Sequence, residues 1–321
     1  MPERKFTRID IPGWGYAVVD KTLLRKKKSK THTKVKLLTA SRETAVKWVH
    51  SAETYEFGTS ECMQKRLGGI NASDANTIVT KNKSLRGKNP YMSMAALMRK
   101  KMKIDKRVDN IYTRHGIRYE QEALDSCAKI LGIEYSETVG HVRGHGQEIG
   151  KIVRGCVTIA EVPEYLGATP DALTTDARLV ECKCPSYDFE GGEEIMDRYY
   201  PQLQMQMACC NLTECVFVRY RPFSYGTTGV IDIARVDFDP EWWKGALEEF
   251  KLFYNSMNIL RAMSKPDIWA TIKGDRFRGP GAKRLWMEGR SIRREVADEG
   301  DPPLRKKRKK KQDDTSTIAL I

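Results

Sequence analysis

An acid and a lysine lie two residues apart in a short apolar segment of this chain. Glu181 and Lys183 sit within residues 179–184, where the other side chains are those of Leu, Val and Cys. Side chains alternate across a β-strand, so the two charged groups would share one face, about 7 Å apart. A buried charge costs several kcal/mol unless it is paired or bound to a metal. The spacing therefore indicates either a buried ion pair or part of a metal site.

Asp171 supplies a second acid close to the first. It follows Pro170, and residues 176–178 predict a turn that would fold Asp171 back beside Glu181. Two neighbouring carboxylates repel each other, and a hard cation such as Mg²⁺ relieves that repulsion. Bound metal makes water easier to deprotonate and offsets charge on a phosphoryl oxygen, while Lys183 would orient the water or stabilise a pentacovalent phosphate. The alternative is a buried Glu181–Lys183 salt bridge with Asp171 at the surface.

The elements that must position these groups mix helices and strands, which predicts an α/β or α+β fold. Apolar patterning predicts strands at 152–159, 179–184, 215–220 and 229–238. It predicts helices at 92–102, 111–131, 193–210 and 240–262, and a shorter one that Ser73 and Asp74 would cap. In the helix at 111–131, an apolar stripe through Ile117 and Leu124 includes Glu120 and leaves Glu122 outside.

The chain divides into a folded centre and basic ends. Residues 1–55 are interpreted as a basic N-terminal extension, 56–262 as the folded core, 263–300 as a C-terminal extension and 301–321 as a disordered basic tail. The net charge is +14; eight Lys or Arg lie in residues 21–36 and seven in residues 305–311, so the rest of the chain sums to −1. The basic runs favour contact with nucleic acid, and a solvated segment is the alternative.

Composition excludes several other classes. No apolar run has the roughly 18 residues of a membrane helix, and no apolar segment follows the N-terminal charges as in a secretory signal. We therefore expect a soluble, intracellular protein without a membrane partner. The eight cysteines form no Cys-x-x-Cys pair, so a zinc site is not indicated. The basic tail is typical either of a nuclear import signal, which would place the protein in the nucleus of a host or parent cell, or of a DNA-binding arm.

Pro170-Asp171 followed by Glu181-Cys182-Lys183 resembles the signature of the PD-(D/E)xK nuclease superfamily. That resemblance implies a restriction-endonuclease-like core, in which a central mixed β-sheet is flanked by helices. Five ordered segments, RLGGINASD, HGIRYEQEA, GATPDAL, ECKCP and YYPQLQMQM, are similar to the lambda-type exonuclease or YqaJ-like viral recombinase family. They cover roughly residues 61–220.

The family resemblance implies an activity and a set of partners. It implies a 5′-to-3′ exonuclease that acts on double-stranded DNA ends, releases 5′-mononucleotides and uses Mg²⁺, with Mn²⁺ as a substitute. It places such an enzyme in viral-type DNA recombination, repair or replication. It also implies a homotrimer and a single-strand annealing protein as partner.

The resemblance also implies roles for individual residues. The metal ligands would be Glu120, Asp171 and Glu181; Lys183 and Gln202 would complete the catalytic centre; Arg66, Ser73 and Thr169 would bind the 5′-phosphate and DNA. The match departs after Pro185, where the family has an arginine that helps to hold the 5′-phosphate and residues 186–190 contain none. That departure puts phosphate-anchored processivity in doubt.

Two other functions stay open on the sequence alone. A structure-specific endonuclease, of resolvase or restriction type, would use the same acids and lysine. A non-catalytic DNA-binding protein would depend on the two basic runs and would bind with strong salt dependence.

Overall fold

The computed structural model describes residues 5–24, 54–55, 59–80, 82–104, 111–136, 141–143, 162–192, 197–224 and 227–272. In these residues the strands are β1 (Phe6–Ile11), β2 (Gly15–Asp20), β3 (Thr54–Tyr55), β4 (Ile70–Asn71), β5 (Tyr135–Ser136), β6 (His141–Arg143), β7 (Leu166–Ala168), β8 (Ala172–Thr174), β9 (Leu179–Lys183), β10 (Glu214–Arg221) and β11 (Gly229–Asp237). The helices are α1 (Lys21–Leu24), α2 (Ser60–Gly68), α3 (Ala75–Val79), α4 (Met94–Lys101), α5 (Ile111–Leu131), α6 (Tyr200–Cys209), α7 (Pro240–Arg261) and α8 (Lys265–Thr271). A 3₁₀ turn, Ala72–Asp74, precedes α3.

The main sheet is mixed, as predicted. Within the described residues its seven strands run in the order β1-β2-β11-β10-β9-β8-β5. The pairs β9–β10 and β2–β11 are parallel, and the other neighbouring pairs are antiparallel. A smaller sheet has the order β3-β6-β7-β4. Among the described helices, none combines the length and the apolar character that crossing a lipid bilayer requires.

Helices cover both faces of the main sheet because its central strands are apolar on both sides. On one face α5 packs through Ala123, Leu124 and Cys127 against β9, β10 and β11. The other face, which includes Leu179 and Phe217, packs against α3, α6 and α7 in the larger core. Glu181 is on β9, between the helices that cover the two faces of the sheet. Because side chains alternate along a strand, Glu181 points to the face that α6 covers.

The edge of the main sheet contains a segment that the sequence analysis placed outside the folded centre. Residues 6–20 form the hairpin β1–β2, and β2 pairs in parallel with β11. Gly229 permits this contact, because a Cβ there would lie 2.5 Å from the Trp14 ring. The alternating apolar residues 16–19 therefore belong to the sheet, and part of residues 1–55 is not an extension. The other domain boundaries stay predictions.

Most predicted elements are confirmed with small shifts at their ends. This holds for the helices expected at 92–102, 111–131 and 240–262 and for the strands expected at 179–184, 215–220 and 229–238. The helix expected over 193–210 begins at Tyr200, because Pro201 lacks an N–H and fits only the first helical turn. The strand expected at 152–159 and the basic tail lie outside the described residues.

Two details of the expected helices are wrong. Ser73 is exposed and does not cap α3; the carboxylate of Asp74 instead accepts hydrogen bonds from the backbone and side-chain nitrogens of Asn71. Ile117 is 67% exposed, so the buried stripe of α5 starts only at Ala123. In the first half of α5 Tyr119 still packs against the core, whereas Ile117 faces solvent.

A buried ion pair fixes the chain between α2 and α3. The Lys101 ammonium lies 2.6 Å from the Asp74 carboxylate, and the two side chains are 1% and 3% exposed. Lys101 also donates to the carbonyl oxygens of Arg66 (2.8 Å) and Gly69 (2.7 Å). Burial raises the pKa of Asp74, but Lys101, Lys100 and the hydrogen bond from Asn71 together outweigh burial, and the net shift is downward. Burial lowers the pKa of Lys101, and Asp74 only partly offsets this. Through the hydrogen bonds of Lys101, the pair holds the backbone that carries Arg66.

We expect Lys101→Met to lower the free energy of unfolding by about 3–5 kcal/mol, because it leaves the Asp74 charge buried without its partner. Lys100→Met is the matched control: Lys100 is 52% exposed, lies 4.0 Å from Asp74, and should cost less than about 1 kcal/mol. Urea unfolding of both variants measures the difference. Equal stability of the two would contradict a structural role for the pair, and adding Asp74→Asn to Lys101→Met should recover part of the loss.

Candidate active site

A tight hairpin brings Asp171 to Glu181. Thr174 donates its backbone N–H to the Arg178 carbonyl at 2.9 Å, and Ala177 takes a left-handed conformation at φ 64°. The resulting register pairs Ala172 with Val180, so the preceding residue Asp171 stands opposite Glu181. The Cys182 N–H donates to Oδ2 of Asp171 at 2.7 Å. The two acids therefore come from adjacent strands, as the sequence predicted.

Glu181 is almost completely buried, at 1% exposed, and both of its oxygens have donors. Lys183 forms an ion pair with Oε1. The side-chain amides of Gln202 and Gln206 donate to Oε1 at 2.5 Å and to Oε2 at 2.6 Å. One cation and two neutral amides thus compensate the cost of burying this carboxylate.

Helix α6 supplies more of the site than its predicted member, Gln202. Gln206 follows at i+4 on the same face, and its Oε1 is buried without a hydrogen-bond partner. The ring centroid of Tyr199, at the helix start, is 5.9 Å from Nζ of Lys183. The i, i+4 spacing in the sequence predicts that Gln206 shares this face with Gln202. No local signal in the sequence identifies Tyr199.

The acids and the lysine form one electrostatic cluster. Burial, and then the negative charge of Glu181, raise the pKa of Asp171 well above its usual range. The same two causes, in the same order, raise the pKa of Glu120 on α5. Burial alone would lower the pKa of Lys183, but Glu181 and Asp171 outweigh burial and raise it. Lys183 therefore stays cationic across the neutral range.

The carboxylate side chains of this cluster have the chemistry to bind a divalent cation. Among the described residues, no three Asp, Glu, His or Cys side chains stand ready as a metal-binding group. The carboxylates of Glu120, Asp171 and Glu181 nevertheless interact closely enough to raise the pKa of two of them. Carboxylate oxygens are the ligands that Mg²⁺ prefers, and a cation between them would remove their mutual repulsion. The residues present fit a hard divalent ion.

Glu120 and Glu122 have separate environments, as the helical period predicted. Glu120 is half-buried and senses the charges of Glu181 and Lys183. Glu122 is exposed, and its carboxylate accepts a hydrogen bond from the Tyr220 hydroxyl. Glu120 is thus the acid on α5 that belongs to the cluster.

Two of the three predicted phosphate-binding residues are in contact. Nη1 of Arg66 donates to Oγ1 of Thr169 at 2.7 Å, two residues before Asp171. Ser73 lies on the 3₁₀ turn that follows Asn71, and the Asn71 side-chain amide donates to the Arg66 carbonyl. Arg66 and Thr169 therefore adjoin the acidic cluster, and Ser73 is connected to them through the backbone.

Two arginines of β10 pack against residues 186–190, a segment that contains no arginine of its own. Arg221 forms an ion pair with Asp188, and the Arg219 guanidinium lies 4.9 Å from the centroid of the buried Phe189 ring. Arg219 also pairs with Asp232 at 2.6 Å, with both side chains 3% exposed. These contacts hold the segment to the sheet beside the site.

Known proteins resemble this chain in sequence and in fold. Residues 61–215 match the family described as the YqaJ-like viral recombinase domain. No curated protein has a significant match to the chain. The structure resembles that of an alkaline exonuclease, LHK-Exo from Laribacter hongkongensis, at 23% identity over 62% of this chain and 93% of that chain, with a TM-score of 0.44. It also resembles a phage-related exonuclease from Haemophilus somnus 129PT, at 12% identity over 61% of this chain and 96% of that chain, with a TM-score of 0.42.

The family match agrees in position with the geometry of the site. It spans the Arg66–Thr169 contact, both acid-bearing strands and the glutamines of α6. The mixed sheet, the flanking helices and the acids on adjacent strands are the arrangement that the sequence analysis expected. Residues 61–215 of this chain are therefore similar, in sequence and in the position of the site, to the YqaJ-like viral recombinase domain family.

Proposed function

We propose that this protein is a Mg²⁺-dependent deoxyribonuclease that degrades double-stranded DNA from its 5′ ends and releases 5′-mononucleotides. The observation that carries the proposal is the placement of Asp171 opposite Glu181 on adjacent strands, with Lys183 paired to Glu181 on the same face. The family match supports it, and a role in viral-type recombination, repair or replication follows from that family. Mn²⁺ is expected to replace Mg²⁺.

The acids would hold the metal, and the other residues would position the acids. Asp171, Glu181 and Glu120 are the proposed ligands. When bound, the metal would act as a Lewis acid: it would lower the pKa of a water molecule and offset charge on a phosphoryl oxygen. Gln202 and Gln206 hold both oxygens of Glu181 without adding charge. The hydrogen bond from Cys182 fixes one oxygen of Asp171.

We assign Lys183 the role of a cation. Without metal, Glu181 and Asp171 outweigh burial and raise its pKa, so the ammonium is protonated and can donate hydrogen bonds. We assign to it the orientation of the attacking water and the stabilisation of negative charge that develops on the phosphoryl group. Its ion pair with Glu181 keeps the ammonium at the site before substrate binds.

Arg66, Thr169 and Ser73 are proposed to bind the 5′-phosphate. The hydrogen bond holds the Arg66 guanidinium at Thr169, which precedes Asp171 by two residues in the chain. A terminal phosphate near the scissile bond would need a counter-charge there. Helix α3 has only five residues, so the side chains and not a helix dipole would carry this contact.

A homotrimer and an annealing partner, both implied by the family, complete the proposal.

We expect Asp171→Asn to reduce hydrolysis by about 10²–10³-fold, since the amide keeps the shape of the side chain but removes the negative charge. The rate of hydrolysis is measured on end-labelled linear duplex with Mg²⁺, with and without EDTA. Metal affinity is measured by calorimetry with Mn²⁺, and it should fall as well. Asp10→Asn, on exposed strand β1, is the matched control and should resemble the wild type. Full activity of Asp171→Asn would refute the mechanism.

Lys183→Met should lower kcat by about 10²–10³-fold while Mn²⁺ still binds, because the lysine acts on the phosphoryl group and is not a metal ligand. Single-turnover rates and Mn²⁺ calorimetry on the same preparation separate these two effects. A variant that loses metal and activity together would show that Lys183 serves only to hold Glu181 in place.

An endonuclease with the same acids is the main alternative, and a covalently closed substrate distinguishes it. We expect linear duplex with a 5′-phosphate to be degraded to mononucleotides, and relaxed circular duplex to stay intact under the same conditions, because the Arg66–Thr169 site needs a terminal phosphate. Cleavage of the circle at a comparable rate would favour the endonuclease. Strong, salt-dependent binding without cleavage of either substrate would favour a non-catalytic DNA-binding protein.

A further inference from the structure

Tyr91 presents an exposed aromatic ring beside the candidate active site. The residue is 71% exposed. Its hydroxyl donates a hydrogen bond to the Tyr199 hydroxyl at 3.0 Å, and the Tyr199 ring centroid is 5.9 Å from Nζ of Lys183. One buried side chain therefore separates the Tyr91 ring from the catalytic lysine. A nucleotide bound at Lys183 would have its base close to that ring.

The segment that leads to Tyr91 is fixed from several sides. Asp197 pairs with Arg86 at 2.7 Å and with Lys88 at 2.9 Å. The carbonyl oxygen of Arg86 accepts the Trp242 indole N–H at 3.1 Å, and that of Lys88 accepts the Asn76 amide at 3.0 Å. These bonds hold the segment between α3, α7 and the turn before α6. A ring on such a rigid segment loses little conformational freedom when a ligand binds.

A cation lies next to the ring. The Arg198 guanidinium is 5.6 Å from the Tyr91 ring centroid, and Tyr187, 44% exposed, belongs to the same cluster. An aromatic face beside an arginine complements a nucleotide: the base stacks on the ring, and the guanidinium faces base or phosphate. Nothing in the packing of the described core requires an aromatic residue at position 91, because most of its surface faces solvent.

We propose that Tyr91 and Arg198 form a stacking site for a base of the strand being cut, within one nucleotide of the scissile phosphate. This inference rests on the proposed function as a nuclease acting on DNA. Because every base has a π-face, the site would take all four bases with little sequence preference. It would fix the position of the reacting nucleotide relative to Lys183 without contributing to the chemistry.

The test pairs a change in the protein with a change in the DNA. Two duplexes are prepared, each with an abasic residue at one of the two nucleotides that flank the scissile bond. The kcat/KM of wild type and of Tyr91→Ala is measured on each of them and on normal DNA. On normal DNA, Tyr91→Ala should lose roughly fivefold to a hundredfold. On the duplex that lacks the stacked base, wild type should lose a similar factor and the two proteins should become equal. An unchanged difference between them on both abasic duplexes would overturn the proposal.

Two variants separate stacking from a structural role. Tyr91→Phe keeps the ring but loses the hydroxyl bond to Tyr199, so stacking predicts recovery of most of the lost factor, and a purely structural role predicts none. The control is Tyr16→Ala, which removes a similar pair, since the Arg8 guanidinium lies 3.8 Å from the Tyr16 ring centroid. Tyr16 is on β2, three strands from β9 or about 14 Å away, and its loss should leave the rate unchanged.

A binding measurement without turnover keeps this inference separate from the proposed function. A duplex with 2-aminopurine at the same two positions is added to the full-length protein in EDTA. Quenching by wild type that Tyr91→Ala abolishes would support stacking even if no hydrolysis were found, and only the nuclease proposal would then fail. Equal quenching by wild type and Tyr91→Ala would refute stacking even in an active nuclease.

Discussion

The site depends on one buried charge, that of Glu181, and on the donors that keep it in the sheet. A carboxylate with 1% exposure is stable only where a cation and hydrogen-bond donors compensate for lost water. Strand alternation provides the cation, since Lys183 follows on the same face. Helix α6 provides two amides one turn apart. Amides satisfy the oxygens without neutralising them, so the negative charge stays available to a metal ion.

The acidic cluster is assembled from both sides of the sheet, and this explains its position. Glu181 faces α6, whereas Glu120 comes from α5, which packs against the opposite face. Their charges nevertheless interact, beside Asp171, which the β8–β9 hairpin places opposite Glu181. A second buried pair, Asp74–Lys101, holds the carbonyl of Arg66 and so fixes the neighbouring Arg66–Thr169 contact. Each charged group in this region is thus positioned by another charge or by backbone.

The sequence was most informative where local geometry decides the outcome. Alternation along β9 and a turn before it were enough to predict that Asp171, Glu181 and Lys183 meet, and the helical period separated Glu120 from Glu122. The same reasoning failed at Ile117, because a stripe on a helix does not reveal which of its residues meet a partner. The Tyr91–Tyr199 hydrogen bond joins residues 108 positions apart. Contacts of this kind leave no local pattern and need the structure.

The membership of β2 in the sheet was also beyond the sequence, since an alternating apolar segment does not specify which strand it will pair with. Only the structure shows that it lies beside β11.

The parallel pairing of β2 with β11 has a consequence for how the chain reaches its folded state. The two strands are separated by about two hundred residues, and such a pairing raises contact order and slows folding. Until β2 docks, β11 presents an open hydrogen-bonding edge with the apolar residues Val230, Ile231 and Ile233. An unpaired edge of this kind can recruit strands from other chains. Residues 6–20 thus act as a cover for that edge, and their loss would favour aggregation of the folding chain.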